Sequence, residues 1–377
     1  MKKEKMISII IGVVILVVVI LIAVAVKNKS AFVNNTVEIT GAIGGGKENL
    51  LADEEINEIF AKKYGIKLVQ DSWSNGKTVV KDVVRENGDK YDLIFFSDQR
   101  YYNEYKTPAD PLLGEAPRYN VVAGDYVLNT PIVMYSWVPV VNALEKEGIV
   151  TVKDGIHYIT DMSKLMNYIL EGKKWSDIGL DIYGSINIGS VDPVTSSPGA
   201  TYYGLLLATM SNGEEITEKV LSESLPKLKE FYKKSGYMNN TPADLFSFFL
   251  KTGMGTKPII VDYEKSIIDF ANANPDGWNQ VKNEVVILYP TPTLWNSHCI
   301  AALSDNGKKL IDAFQDKEVS QIAWNKYGFR VGVTGGNYDV SKVNISGIPS
   351  TIDKVASSLK MEEYERVINC LSDKGPC

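Results

Sequence analysis

Hydrophobic and polar positions along this chain follow two periods, and the change from one to the other marks out its elements. Residues 36–40 (TVEIT) and 66–70 (IKLVQ) alternate with period two and predict strands. Between them, residues 54–64 place Ile56, Ile59 and Phe60 on one face of a helix. Residues 78–86 again read as helical, and 91–96 (YDLIFF) form a short apolar run of the kind buried on both faces of a sheet. Strand, helix, strand, helix, strand in close succession predicts a parallel sheet with right-handed crossovers.

The pattern changes after residue 119. Residues 121–137 (VVAGDYVLNTPIVMYSW) read as two extended runs joined near Asn129, Thr130 and Pro131, followed by a helix at 139–147 that Gly148 closes. Further helices are predicted at 162–171, 200–210, 225–234, 243–251, 308–314 and 319–326. Strands are predicted at 185–189, 258–261 and 285–289, and residues 352–371 read as a long helical tail. The chain shows no internal repeat and no linker between its two sheet-forming regions. It is therefore expected to be an α/β protein whose backbone crosses between lobes more than once.

The amino terminus stands apart. Residues 6–26 run for 21 positions without a charge, which at 1.5 Å per residue spans about 30 Å, the thickness of bilayer hydrocarbon. Lys2, Lys3 and Lys5 precede this run and Lys27 and Lys29 follow it, a small bias toward a cytoplasmic amino terminus. The expectation is a transmembrane anchor (6–26), a tether (27–35) and an exported main domain. Ala23-Val24-Ala25 also has the small-x-small form of a signal cleavage site, so a chain secreted after cleavage at Ala25 is the alternative. Removing the first 27 residues, with four Lys and one Glu, leaves a domain more acidic than the whole chain's net charge of -6. A surface of that sign does not suit nucleic acid.

Composition closes other routes. With 45% apolar and 23% charged residues the chain is globular, not disordered or collagenous. Its two histidines, His157 and His298, lie far apart and offer little to a His/Cys zinc site. No cofactor is implied. Of three cysteines, Cys370 and Cys377 are spaced to close a small loop in an oxidising compartment, and Cys299 is left over.

Three segments carry candidate chemistry. Residues 41–47 (GAIGGGK) satisfy the first seven positions of a phosphate-cradling loop, but Glu48 stands where a magnesium-binding hydroxyl is needed, which speaks against nucleotide hydrolysis. The same glycines suit a backbone cradle: Gly44, Gly45 and Gly46 allow close approach of N–H groups to an anion, with Lys47 as charge partner. The bland alternative is a turn. The second segment, 195–201 (TSSPGAT), opens an apolar helix and has more hydroxyls than one cap requires. The third, 261–266 (VDYEKS), ends a strand in charged and phenolic groups, which by itself reads as a solvated strand end. Tyr101-Tyr102 and Tyr202-Tyr203 are phenol pairs that more often pack than bind metal. No spacing of nucleophile and base points to catalysis.

The order and spacing of the glycine loop with FFSDQ (95–99), NTPIVMYSW (129–137), DPVTSSPGATYYG (192–204), PIIVDYEKS (258–266), YPTPTLWNSHCIAALS (289–304) and QIAWNKYGFR (321–330) resemble bacterial extracellular solute-binding proteins of the type II, molybdate- and sulfate-binding-like group. The resemblance covers roughly residues 36–330. It implies two α/β lobes joined by crossover strands with a ligand in the cleft between them: lobe I from 36–130 and 291–350, lobe II from 131–290, and a helical tail from 351–377. It further implies that Gly44, Gly45, Gly46, Lys47 and Ser97 face the ligand from lobe I, and Ser196, Ser197, Gly199, Ala200 and Tyr263 from lobe II. The ligand is expected to be small and anionic, and the partner an ABC-type permease in the membrane. Family members that bind tetrahedral oxyanions often have hydroxyl residues in the first loop, where this chain has Gly44 to Gly46 and Lys47. A ferric-ion receptor through Tyr202, Tyr203 and Tyr263, and a sensor or docking subunit using the tail, are the rival readings.

Overall fold

The computed structural model describes residues 36–72, 90–106, 121–239, 241–332 and 336–377. The expected anchor and tether (6–35) and the helix expected at 78–86 lie outside the described residues. Among the described residues no helix is long and apolar enough to cross a membrane.

The first lobe opens with β1 (Val37–Ile43), α1 (Glu48–Leu51), α2 (Glu54–Tyr64), β2 (Ile66–Ser72), β3 (Leu93–Phe96) and α3 (Gln99–Lys106). Local sequence sets these limits. The Asp53 carboxylate accepts from the N–H groups of Glu55 and Ile56 at the start of α2, and Gly65, at φ +62°, ends it. β1 lies parallel between β2 and β3, as the strand-helix alternation predicts. The expected strand at 91–96 starts two residues later, at Leu93.

β4 (Ala123–Trp137) is one 15-residue strand, not the two runs expected. Pro131 does not break it because it sits where the strand changes sheets: up to Pro131 the strand pairs with β9 (Trp295–Ala302), and from Ile132 onward with β7 (Ile259–Tyr263) and β8 (Val285–Pro290). A proline without an N–H is tolerated at such an irregular ladder position.

The second lobe adds α4 (Val138–Lys146), β5 (Val150–Lys153), β6 (Ile156–Ile159), α5 (Met162–Glu171), α6 (Ser197–Met210), α7 (Glu218–Lys234), α8 (Pro242–Thr252), α9 (Lys265–Ala273) and α10 (Pro275–Val281). α7 begins seven residues before the helix expected at 225–234, capped by Thr217 and continuous through Pro226. The strand expected at 185–189 is irregular chain with single bridges at Ser185 and Gly189. α11 (Asp305–Phe314), α12 (Lys317–Tyr327) and β10 (Arg330–Val331) return to the first lobe. β10 pairs with β4 at Asn129 and Leu128.

The sheet order β2-β1-β3-β9-β4-β8-β6-β5 runs through both lobes, with β4 as the shared member. Two large apolar cores and a smaller one around Ile94, Phe96 and Tyr102 flank it among the described residues. One large core gathers Ile39, Phe60, Phe95, Ile300, Phe314 and Phe329, the other Val133, Leu144, Tyr202, Leu228, Ile260 and Leu288. Val343 and Ile348 pack in the second core, so the chain leaves the first lobe well before the expected boundary at 350. The tail also differs from expectation: only α13 (Met361–Leu371) is helical, while Val355 bridges to Thr293 in extended form. Cys370 and Cys377 form a disulfide, and Cys299 is free and buried.

Candidate functional site

The loops that leave β1 and β3 at their carboxyl ends, where open α/β sheets present ligands, meet through Lys47, Ser97 and Asn296, and the residues that follow β7 come from the second lobe toward Phe329, with Lys265 5.1 Å from its ring. From the first lobe come Gly44 to Glu48, Ser97 and Asp98, together with Asn296 and His298 on β9. From the second come Tyr263 at the end of β7, Lys265 at the start of α9 and Thr201 in the first turns of α6.

The glycine loop is shaped by close approach. A Cβ on Gly44 would lie 2.4 Å from the Ser97 hydroxyl, so the two loops meet only because that atom is missing. Gly46 adopts φ +88°, a left-handed conformation that favours glycine. Its donors, however, are largely used within the chain. The Gly44 N–H donates to the Phe95 carbonyl (2.9 Å), and the Gly46 N–H donates to both carboxylate oxygens of Glu48 (2.8 and 3.0 Å). An internal carboxylate thus occupies the Gly46 N–H that an external anion was expected to take.

Lys47 also departs from expectation. Its ammonium turns inward to the carbonyl of Gly44 (2.6 Å) and the hydroxyl of Ser97 (3.0 Å), 4.5 Å above the Phe95 ring. The side chain is 2% exposed, and burial pulls its pKa down to about 7. It braces the two loops against each other and does not present a charge to the seam. The Ser97 hydroxyl in turn donates to the Gly45 carbonyl (2.6 Å). The Lys47–Ser97 contact is therefore directed from amine to hydroxyl, with the serine proton committed to a carbonyl, which is the wrong sense for an activated nucleophile.

On the second lobe the expected loop is mostly occupied by its own fold. A Cβ on Gly199 would meet the Val191 carbonyl at 2.4 Å, so this glycine is required by packing. The Ala200 N–H donates to the Ser196 carbonyl (2.9 Å). Ser196 stands at the N-cap of α6 without a side-chain cap bond, and the Ser197 carbonyl accepts from the Thr201 hydroxyl (3.0 Å). Tyr263 ends β7 with its side chain buried. Its hydroxyl is buried, lies near Thr201 and is influenced by Asp98 of the opposite lobe, yet has no hydrogen-bond partner of good geometry. Burial raises its pKa.

Residues not singled out beforehand complete the site. Asn296 donates to the Ser97 carbonyl (2.9 Å) and leaves its Oδ1 without a partner, as His298 leaves its Nδ1. His298 packs edge-on to Phe329, its Cε1 would be 3.7 Å from a Cβ on Gly46, and burial drives its pKa well below the usual range, with Lys47 and Lys265 adding to the shift. Asp98 is buried and paired with Arg100, whose Nε donates to both carboxylate oxygens (3.0 and 3.1 Å). Buried polar residues at strand ends, in FFSDQ and WNSHC, were the available signal for these positions.

The tyrosine set proposed for a ferric ion is not assembled. Tyr202 and Tyr203 pack against Phe231 of α7, with ring centroids 6.3 and 6.2 Å away, and the Tyr203 hydroxyl faces Ser235 at 3.4 Å. Burial raises the pKa of all three, away from the phenolate form iron requires.

Further contacts tie the lobes directly. Asn272 of α9 donates to the carbonyls of Asn325 and Lys326 at the end of α12 (2.9 Å each), and Asn49 reaches Asp269 at 3.5 Å.

No protein-family model matches this chain. No curated protein matches it either. Solved structures do. An extracellular solute-binding protein of Bordetella parapertussis is 12% identical, with a TM-score of 0.57 over 89% of this chain and 97% of its own. The apo ferric ion-binding protein A of Pasteurella haemolytica is 12% identical, with a TM-score of 0.55 over 89% and 97%. FutA of Trichodesmium, solved with iron and citrate, is 13% identical, with a TM-score of 0.56 over 90% and 99%. With two lobes sharing a strand, loops converging at their seam and neighbours of this kind, the chain has the type II fold of the extracellular solute-binding proteins.

Proposed function

We propose that this chain is a non-catalytic extracellular solute-binding protein, held at the cell membrane by its apolar amino terminus, that closes its lobes over a small anionic ligand for an ABC-type permease. The observation that carries this reading is the set of buried polar atoms without partners at this place: the Tyr263 hydroxyl and the His298 ring nitrogen, which can donate, and Asn296 Oδ1, which only accepts and so calls for a ligand that carries a proton. A buried polar atom left unpaired costs about 1–3 kcal/mol, so a molecule that pairs with several of them favours the closed arrangement. With Lys47 spent on the loops, the Ser97 proton on the Gly45 carbonyl and Lys265 paired with Asp269 (3.8 Å), the donors left for the ligand are the Tyr263 hydroxyl, the His298 ring and the serines at 196 and 197. Selectivity then follows from donor geometry. The fold shared with the two iron-associated proteins does not bring their metal to this chain, since Tyr202 and Tyr203 are committed to a core.

The test is thermal unfolding of the exported part with millimolar sulfate, phosphate and molybdate, beside neutral sugars and ferric citrate, combined with native mass spectrometry of the protein as purified. Stabilisation by one oxyanion, lost in Tyr263→Phe, is expected. Stabilisation only by a neutral solute would remove the anionic class, and an iron-dependent visible absorption would restore the ferric reading.

A further inference from the structure

The carboxyl-terminal segment touches both lobes, and its two attachments are unequal. Its extended part runs along the return crossover: the Thr293 N–H donates to the Lys354 carbonyl (3.1 Å) and the Ala356 N–H to the Thr293 carbonyl (2.8 Å). α13 then docks on α7 of the second lobe. Lys229 donates to the carbonyls of Cys370 (2.7 Å) and Leu371 (2.8 Å) and to the Asp373 carboxylate (2.7 Å), satisfying the end of the helix. Arg366 pairs with Glu218. Val367, Cys370 and Leu371 are buried in the second core.

Toward the first lobe the contact is much smaller. The ring of Tyr364 lies 4.4 Å from the Arg100 guanidinium. Gln99 adds a bond to the Ser358 hydroxyl (3.0 Å). Arg100 is the residue that holds Asp98, and the Asp98 charge is felt at the Tyr263 hydroxyl of the second lobe.

We infer that α13 is a clasp between the lobes, fixed to the second lobe and released from the first at Tyr364 whenever the lobes part, so that clasp and ligand seam communicate through Arg100 and Asp98. The physical reason is the imbalance. On the α7 side, opening would expose three buried apolar residues and strip the partners of Lys229. On the α3 side it would break one cation–π contact and one polar bond. The clasp presumes the lobe movement of the proposed function, but needs no ligand to be detected.

The experiment uses the full chain without added ligand, carrying nitroxide labels at Lys62→Cys on α2 and Glu223→Cys on α7, both exposed. Pulsed electron resonance should show Tyr364→Ala raising the ratio of long to short interlobe distances about tenfold, with Tyr364→Phe, which keeps the ring, changing it less. Hydrogen exchange should rise over 97–106 while α13 stays protected. An unchanged distance distribution in folded Tyr364→Ala overturns the clasp, and so does loss of protection throughout α13. If Tyr364→Ala does not fold, Tyr364→Leu, which removes the ring but keeps apolar bulk, carries the test, and unchanged exchange over 97–106 then overturns the inference. Failure of every solute to bind would remove the proposed function and leave these readings intact.

Discussion

Arg330 and Glu264 form a fully buried bidentate pair between the lobes, with Nε to Oε1 at 2.7 Å and Nη2 to Oε2 at 2.8 Å. Arg330 belongs to β10, laddered to Asn129 of the first lobe, and Glu264 follows β7 of the second. Tyr289 donates a third bond to Glu264 (2.7 Å), and Arg330 also donates to the Pro349 carbonyl (2.7 Å). The pair lies where β4 changes sheets, because the Glu264 N–H donates to the Pro131 carbonyl (3.0 Å). It is a fixed point about which the lobes are held.

Removing one charge should therefore cost more than removing both. Glu264→Gln is expected to destabilise the protein by about 3–5 kcal/mol, since it leaves Arg330 buried and unpaired. Glu264→Gln with Arg330→Met should recover a large part of that loss. Urea denaturation of the single and double variants measures the difference, and equal losses would refute the pairing argument.

Lys47 gives stability a pH dependence of known sign. Its pKa is about 7 in the folded chain and 10.5 when unfolded, so between these values the unfolded state binds more protons and stability rises with pH. The gain should reach its limit near the unfolded value and be absent below about pH 7. Comparing denaturation of the wild type with Lys47→Met from pH 6 to 10 isolates it, and a difference that stays flat across this range contradicts the burial of the amine.

Tyr263→Phe should separate folding from binding. Deleting a buried hydroxyl that has no partner is expected to leave the unliganded protein as stable or up to about 1 kcal/mol more stable, while weakening an oxyanion by about 5–100-fold. Denaturation and calorimetry on one preparation give both numbers. A marked loss of stability would mean that the hydroxyl is satisfied within the chain.

Gly199→Ala tests the reading of its loop as packed. The added methyl would face the Val191 carbonyl at 2.4 Å and the Asp192 carbonyl carbon at 2.8 Å, so a loss of about 1–3 kcal/mol is expected. Wild-type stability in this variant would return Gly199 to the ligand-facing group.

Local elements were largely legible in the chain. The helix at 162–171 was placed to the residue, because Asp161 caps it and Gly172 ends it within a clear apolar period. β9 was not identified as a strand, because Asn296, Ser297 and His298 interrupt its apolar pattern although all eight residues are buried. The candidate site was half legible. The loops after β1 and β3 do meet, but Lys47 proved to be a brace, and Asp98, Asn296 and His298 were passed over.

What the sequence determined by itself was short-range: periods of two and 3.6, capping residues, glycines at tight turns, and an order of motifs sufficient to indicate the fold. Such signals act within a few residues of the chain and need no partner. The tertiary structure alone decided which donors are free. Whether Gly46 offers its N–H to a ligand or to Glu48, and whether Arg330 faces solvent or Glu264, depends on contacts between residues distant in the chain and on the loss of water around them. No local pattern encodes that loss.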